Sequence, residues 1–230
     1  MQTVAIIQAR LGSARLPRKV LADLGGRPLI DHVIDRTLAI EGVEAVAVSV
    51  PQADLHEFRH SSGHPRLFWG IANQEQDVLG SYAAIAREMQ AQTVVRITGD
   101  CPLLAPDLVS QAVRAFFRYQ PTEASYLPLC MPYVPVADGW DAEIFSNTLL
   151  QEAARCADLS QREHVTTWMR EIGNAFVIQV PRIGDHTALK CSVDTTVDLA
   201  RARTIYDWLQ NKGDYSHAAT WQAWNRAGRP

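Results

Sequence analysis

The 230 residues suffice for one large α/β domain, or one domain with a small arm, and at 47% hydrophobic they can bury a sizeable core. A formal net charge of −3 argues against a general nucleic-acid binder, which is normally basic, and no apolar run is long enough to span a bilayer. Cys101, Cys130, Cys156 and Cys191 are scattered without a C-x-x-C, so they read as separate thiols in a cytoplasmic protein, not as a zinc site or disulfide framework. Taken in order, the chain opens with Val4–Ala9, a short apolar run of the kind that forms a buried strand. It stops at Arg10 and enters a loop holding Gly12, Ser13, Ala14, Arg15, Pro17, Arg18 and Lys19. Small residues let a backbone approach phosphates, and fixed cations offset their charge, so this loop is a candidate phosphate site. It is not a Walker A motif, because the second glycine is missing and Val20 follows Lys19. It is not G-x-G-x-x-G either.

Gly25-Gly26 marks a turn, and Leu29, Ile30, Val33, Ile34 and Leu38 then recur at helical spacing after Pro28. Ala45–Val50 is a second apolar strand ended by Pro51, which completes a parallel strand–helix–strand unit. A weaker helix over Ala53–Ser62 places His56 and His60 one turn apart, with His64 beyond. Gly63 and Pro65 break the helix before His64 and no carboxylate completes a ligand set, so a solvated face is the better reading. Leu67–Gly70 is a short strand. Asp77 stands where a helix through Met89 begins, as its N-cap. Thr93–Ile97 is the next strand and leads into Gly99-Asp100-Cys101-Pro102, before a helix from about Asp107 to Tyr119. Asp100 sits at the carboxyl end of a buried strand, the edge where open α/β sheets bind ligands. It could hold Mg²⁺ there, or cap the turn as an Asx residue.

Beyond Ala124–Leu127, also strand-like, Pro128, Pro132 and Pro135 punctuate a segment that cannot be a central strand. We expect residues from about 125 to 180 to form an arm or lid within a single domain spanning residues 1–230. Asp138, Asp141 and Glu143 are either a second acidic site or caps and a turn before a helix that Ser146 would start. Leu149–Ala157 reads as one helix and Ser160–Ile172 as another, the second carrying Arg162 and His164. Val165, Trp168 and Ile172 form an apolar stripe on it, and Met131, Tyr133 and Trp140 add apolar surface. That surface predicts a two-fold homodimer in which the arm crosses to the partner and brings Arg162 or His164 to its pocket. Ala175–Val180 and Leu189–Val193 are expected strands; Asp194 ends the second and starts a long helix to Leu209. Asp100 and Asp194, each at a strand end, are what a Mg²⁺ site between two loops requires. Trp221 and Trp224 mark a further, docking helix.

Several stretches resemble one family. The run QARLGSARLPRKVLADLGGRPLIDHVIDR is similar to the N-terminal signature of cytidylyltransferases that activate acidic sugars, such as the 3-deoxy-manno-octulosonate and acylneuraminate enzymes. RITGDCPLLAP resembles that family's Asp-Cys-Pro turn, and the Asp77-Val78-Leu79 helix start has a counterpart in it. Asp138-Gly139-Trp140-Asp141-Ala142-Glu143 resembles its spore-coat polysaccharide biosynthesis branch, and Arg162-Glu163-His164-Val165-Thr166 resembles the family's Arg-Glu-His-Val-Thr element. Asp194-Thr195-Thr196-Val197-Asp198-Leu199 matches the family's Asp-Thr-Pro-Glu-Asp-Leu, with Thr196 and Val197 departing from it on the following helix turn. The resemblance implies a three-layer, Rossmann-like nucleotidyltransferase fold with a mostly parallel sheet. It also implies transfer of CMP from CTP to an acidic sugar with release of pyrophosphate, for surface polysaccharide synthesis. Asp100 and Asp194 would hold Mg²⁺, while Arg10 and Lys19 act on the phosphates. Ala9, Leu11, Gly12, Ser13, Arg15, Asp77, Asp141, Glu143, Arg162 and His164 would complete the substrate-binding set. Two other readings stay open: a glycosyltransferase, although Asp100-Cys101-Pro102 lacks an Asp-x-Asp, and a non-catalytic sugar-nucleotide binding subunit.

Overall fold

In β1 (Thr3–Gln8, TVAIIQ) every residue but the last is buried, so the strand carries apolar side chains on both faces. That is what a strand covered by helices on each side requires. The computed structural model describes residues 2–58, 67–72, 77–119, 123–173, 175–179 and 188–227. Its strands are β1, β2 (Asp23–Leu24), β3 (Arg27–Pro28), β4 (Ala45–Pro51), β5 (Leu67–Ala72), β6 (Thr93–Thr98), β7 (Tyr126–Leu129) and β8 (Ala142–Ser146). The helices are α1 (Leu29–Leu38), α2 (Leu55–Phe58), α3 (Val78–Glu88), α4 (Pro106–Tyr119), α5 (Asn147–Cys156), α6 (Thr167–Glu171), α7 (Thr196–Lys212) and α8 (His217–Ala227).

A six-stranded sheet runs in the order β5-β4-β1-β6-β8-β7, parallel from β5 to β6, with β8 and β7 joined antiparallel. Alternation along β1 divides the core. Ala5 and Ile7 face the cluster built with α1, α4, α7 and α8, whereas Val4 and Ile6 face α3, α5 and α6. The result is the expected three-layer α/β architecture. No helix among the described residues is long and apolar enough to cross a membrane.

The stretch 125–180 differs most from its sequence reading. Ala142–Ser146, read in the sequence as part of either a second acidic site or caps and a turn, is a fully buried strand lodged between β6 and β7. Its charged residue hid it. Glu143 is 1% exposed and lies 2.6 Å from Arg96 of β6 and 2.7 Å from Arg170 of α6, with the Tyr126 hydroxyl also hydrogen-bonded to it. Burial pushes Glu143 up, but the two guanidinium groups outweigh it and hold its carboxyl below the usual range. Pro128 is tolerated inside β7 because β7 is the edge strand. Trp140 is fully buried, its indole N–H donating to the Leu103 carbonyl at 3.0 Å. Val165 is buried among the residues packed on α3 and α5.

The helix expected over Ser160–Ile172 is broken into a short 3₁₀ turn at Leu159–Gln161, capped by Asp158, and α6. Of Ala53–Ser62 only α2 is helical among the described residues, and His60 and His64 lie outside them. Ala175 and Lys190 make single bridges, to Tyr126 and Asp138, instead of full strands. Val180 lies outside the described residues. The amides of Cys191 and Val193 bond to the Asp138 and Asp100 carbonyls, so loops, not a neighbouring strand, take their hydrogen bonds. Gly139 makes this approach possible. At φ +94° it leaves the backbone left-handed, and a Cβ there would lie 2.4 Å from the Ser192 nitrogen.

Candidate active site

The loop after β1 is fastened from beneath. The Leu11 N–H donates to Asp54 Oδ2 at 3.0 Å, and the Leu11 carbonyl accepts from the Ser13 and Arg18 amides. Arg18, at φ 58°, turns its guanidinium onto Glu57 in a bidentate pair of 3.0 and 2.9 Å. The N–H groups of Gly12, Ala14 and Arg15 have no acceptor among the described residues. Neither Asp54 nor Glu57 announces this role in the sequence, because each acts across a gap of about forty residues.

Lys19 then points back under the loop. Its ammonium lies 2.7 Å from Asp100 Oδ2 and 2.9 Å from Asp194 Oδ1. Asp100 follows β6 on the turn opened by Gly99, where a Cβ would fall 2.7 Å from the Gln8 carbonyl oxygen. Only glycine lets this turn sit so close to the end of β1. Asp194 precedes α7, whose N-cap is Thr195 in a capping box with Asp198. Arg15 reaches Asp194 Oδ1 at 2.9 Å, while Lys190 holds Asp194 Oδ2 at 3.0 Å and Asp198 Oδ2 at 3.2 Å. Sequence reading passed over Lys190; its signal was a cation four residues before a candidate ligand. Burial raises the Asp194 carboxyl, but hydrogen bonds from Lys19 and Lys190 prevail and hold it below the usual range. Burial likewise opposes charge on Lys19, yet Asp100 and Asp194 overcome it and raise its pKa.

These groups border a cleft of about 470 Å³ at the carboxyl edge of β1 and β6. Its walls include Arg10, Gly12, Ser13, Arg15, Lys19, Asp100, Asp194 and His164, together with Gln8 and Thr98. His164 therefore lines the cleft of its own chain. Other expected contacts lie elsewhere. Ala9 is buried beneath Gly99, and Leu11 packs on the core. Asp77 caps α3 through the Gly80 amide at 2.8 Å and holds Arg162 by two bonds of 2.8 and 3.0 Å. Arg162 also donates to the Ala154 carbonyl, so the pair ties α3 to the end of α5. Glu143 belongs to the buried ion cluster described above.

Asp141 accepts the Gly139 N–H at 3.0 Å and is pushed up to about 6, chiefly by burial. A carboxyl with a folded pKa above its unfolded value of about 3.9 costs stability as pH rises through that interval. Asp141→Asn, which retains the acceptor oxygen, is thus expected to stabilise the protein by about 1–3 kcal/mol at pH 8. The gain should vanish below about pH 3, where the carboxyl is largely protonated in both states. Urea unfolding at the two pH values measures it, and an equal gain at both would place the effect in packing.

Two carboxylates converging on one ammonium nitrogen also fit a divalent cation, because both present oxygens to a single cation-sized position. Among the described residues no group of three or more His, Cys, Asp or Glu side chains could hold a metal, so other ligands would come from substrate or water.

An open, mostly parallel sheet with a cationic loop and paired carboxylates at its carboxyl edge places this site where α/β sheets bind ligands. The family model for cytidylyltransferases matches residues 4–206, and the chain belongs to that family. Over 116 residues it is 34% identical to the 3-deoxy-manno-octulosonate cytidylyltransferase of Trichlorobacter lovleyi, covering 50% of this chain and 45% of that one. The chain thus spans about half the length of that relative. Similarity to the spore coat polysaccharide biosynthesis protein SpsF of Bacillus subtilis is 24% identity over 220 residues, covering 92% and 89% of the two chains. A cytidylyltransferase structure from Leptospira borgpetersenii superposes with a TM-score of 0.84 at 23% identity, over 99% of this chain and 95% of that one.

Proposed function

We propose that this protein uses CTP and Mg²⁺ to activate an acidic sugar, forming a CMP-sugar and pyrophosphate for surface polysaccharide synthesis in the cytoplasm. The observation that carries the reading is the convergence of Lys19, Asp100 and Asp194 in one cleft beneath the Gly12–Arg15 loop. In the reaction a sugar hydroxyl oxygen bonds to the α-phosphorus, the bond to the bridging oxygen of the β-phosphate breaks, and pyrophosphate leaves. The hydroxyl gives up its proton. The N–H groups of Gly12, Ala14 and Arg15 serve the triphosphate; the Ser13 amide, expected in that role, is engaged by Leu11. Arg10 and Lys19 offset charge gathering on the transferred and leaving oxygens. Asp100 and Asp194 would hold Mg²⁺, which when bound neutralises phosphate oxygens and favours loss of the hydroxyl proton. His164, on the wall of the cleft, suits the carboxylate of the acceptor. The choice of cytosine and of an acidic sugar is supported by the similarity to the 3-deoxy-manno-octulosonate cytidylyltransferase of Trichlorobacter lovleyi.

Pyrophosphate release should require CTP, Mg²⁺ and a 3-deoxy-octulosonate or nonulosonate acceptor, and fail with neutral sugars. Equal release with UTP or ATP, or none with any acidic sugar, would overturn the reading.

A homodimer is part of the same proposal. Met131, Leu159, Ile172 and Val177 are exposed apolar side chains gathered in the stretch 125–180, which supports an interface there. Sedimentation at micromolar concentration should give twice the 25.6 kDa chain mass, and a single monomeric species would rule the dimer out.

A further inference from the structure

We infer that Lys19 is an internal occupant of the metal position, and that cation and triphosphate binding exchange it. The inference rests on the reading of Asp100 and Asp194 as the metal-holding pair. The ammonium bonds one oxygen of each carboxylate, at 2.7 and 2.9 Å, and its side chain is only 12% exposed. It holds the position that a divalent cation sharing both carboxylates would take. Mg²⁺ binds oxygen at about 2.0–2.1 Å, so an ammonium and a dication could not both sit between these two groups. One must leave when the other arrives.

The two oxygens of Asp194 are divided between different kinds of partner. Oδ1 faces Lys19 and Arg15, on the cleft side, whereas Oδ2 is held by Lys190, itself tied to Asp198. Arg15 is 65% exposed and can swing away at little cost. Lys190 can stay when Oδ1 turns to a metal, because its anchor is the other oxygen and a second carboxylate. Both anchors of Lys19 are the carboxylates a metal would take, and its natural destination is the triphosphate beneath the loop it belongs to. Metal alone therefore has to evict an ion-paired ammonium with no phosphate to receive it. Metal with nucleotide does not. Binding of the two is coupled by the same side chain that later serves the phosphates.

The test needs neither nucleotide nor sugar. Mn²⁺ binding to the full chain is followed by the loss of the free-ion electron paramagnetic resonance signal. Lys19→Met is expected to bind Mn²⁺ at least about tenfold more tightly than the parent chain. Lys190→Met, which removes the same charge from the same carboxylate, should change the affinity less than about threefold. In the Lys19→Met background, Asp100→Asn should abolish the tight binding. An unchanged or weaker affinity in Lys19→Met would overturn the exchange. Equal tightening in both lysine variants would also do so, since it would reflect general charge. Retained binding in the double variant would put the metal elsewhere and likewise sink the proposal. Thermal melts confirm folding, and Lys19→Gln replaces the methionine variant should that one not fold. Since no CTP is present, a failed turnover assay leaves this result standing, and CTP turnover without the tightening would overturn the exchange alone.

Discussion

Asp100→Asn is expected to lower CTP-dependent pyrophosphate release by about a thousandfold or more, with a melting temperature within a few degrees of the parent. Asparagine keeps the shape and an acceptor oxygen but removes one of the two charges that converge on the cleft cation. The fold should tolerate it, because Lys19 keeps its pair with Asp194, and the bond that ties Asp100 to the loop before α7 uses the backbone. The Val193 amide donates to the Asp100 carbonyl at 2.8 Å, and that bond is untouched by the substitution. Steady-state kinetics at saturating CTP and Mg²⁺ decide the matter. Turnover near that of the parent would remove Asp100 from the metal pair.

Lys19→Ala should lower kcat by about a hundredfold, with a smaller rise in the KM for CTP. The reasoning is that a fixed ammonium is most useful where negative charge builds up during transfer, on the α-phosphate and the departing pyrophosphate. A raised KM with kcat unchanged would assign Lys19 to ground-state binding only. Asp194 retains Arg15 and Lys190 in this variant, so the loss of one cation does not leave that carboxylate unpaired. Loss of the Lys19 charge thus separates two effects: slower chemistry in the presence of CTP, and tighter metal binding in its absence.

Local signals made much of the architecture legible. The apolar runs of β1, β4 and β6 announce buried parallel strands, and the helical spacing of Leu29, Ile30, Val33, Ile34 and Leu38 announces α1. Asp77 and Ser146 cap the helices they precede, as their chemistry suggested. β8 was not legible. A strand holding Glu143 breaks the apolar pattern, and only the arginines of β6 and α6, brought there by the fold, make its burial tolerable. Trp140, expected with Met131 and Tyr133 as apolar surface, and Val165, expected on an apolar stripe, lie instead in the two halves of the core. His164 reached its own chain's cleft when the expected continuous helix broke between Gln161 and Thr167.

By itself the sequence determined which residues could do chemistry: a cationic loop after a buried strand, and aspartates at two further element ends. Each of these follows from nearest-neighbour physics, in which strand ends, turns and caps are specified by a few adjacent residues. Only the tertiary structure decided which of them meet. Lys19 is 81 positions from Asp100 and 175 from Asp194, and Asp77, Asp141, Glu143 and Arg162 have carboxylates or guanidinium groups no less suited to a site. What separates the two sets is sheet order. β1 and β6 are adjacent, so their carboxyl ends share one edge, and the loop before α7 is tied to that edge by the Val193–Asp100 hydrogen bond. Charge that ends there faces a cleft, whereas Asp77 and Glu143 meet arginines within the protein, because a buried ion must find a partner.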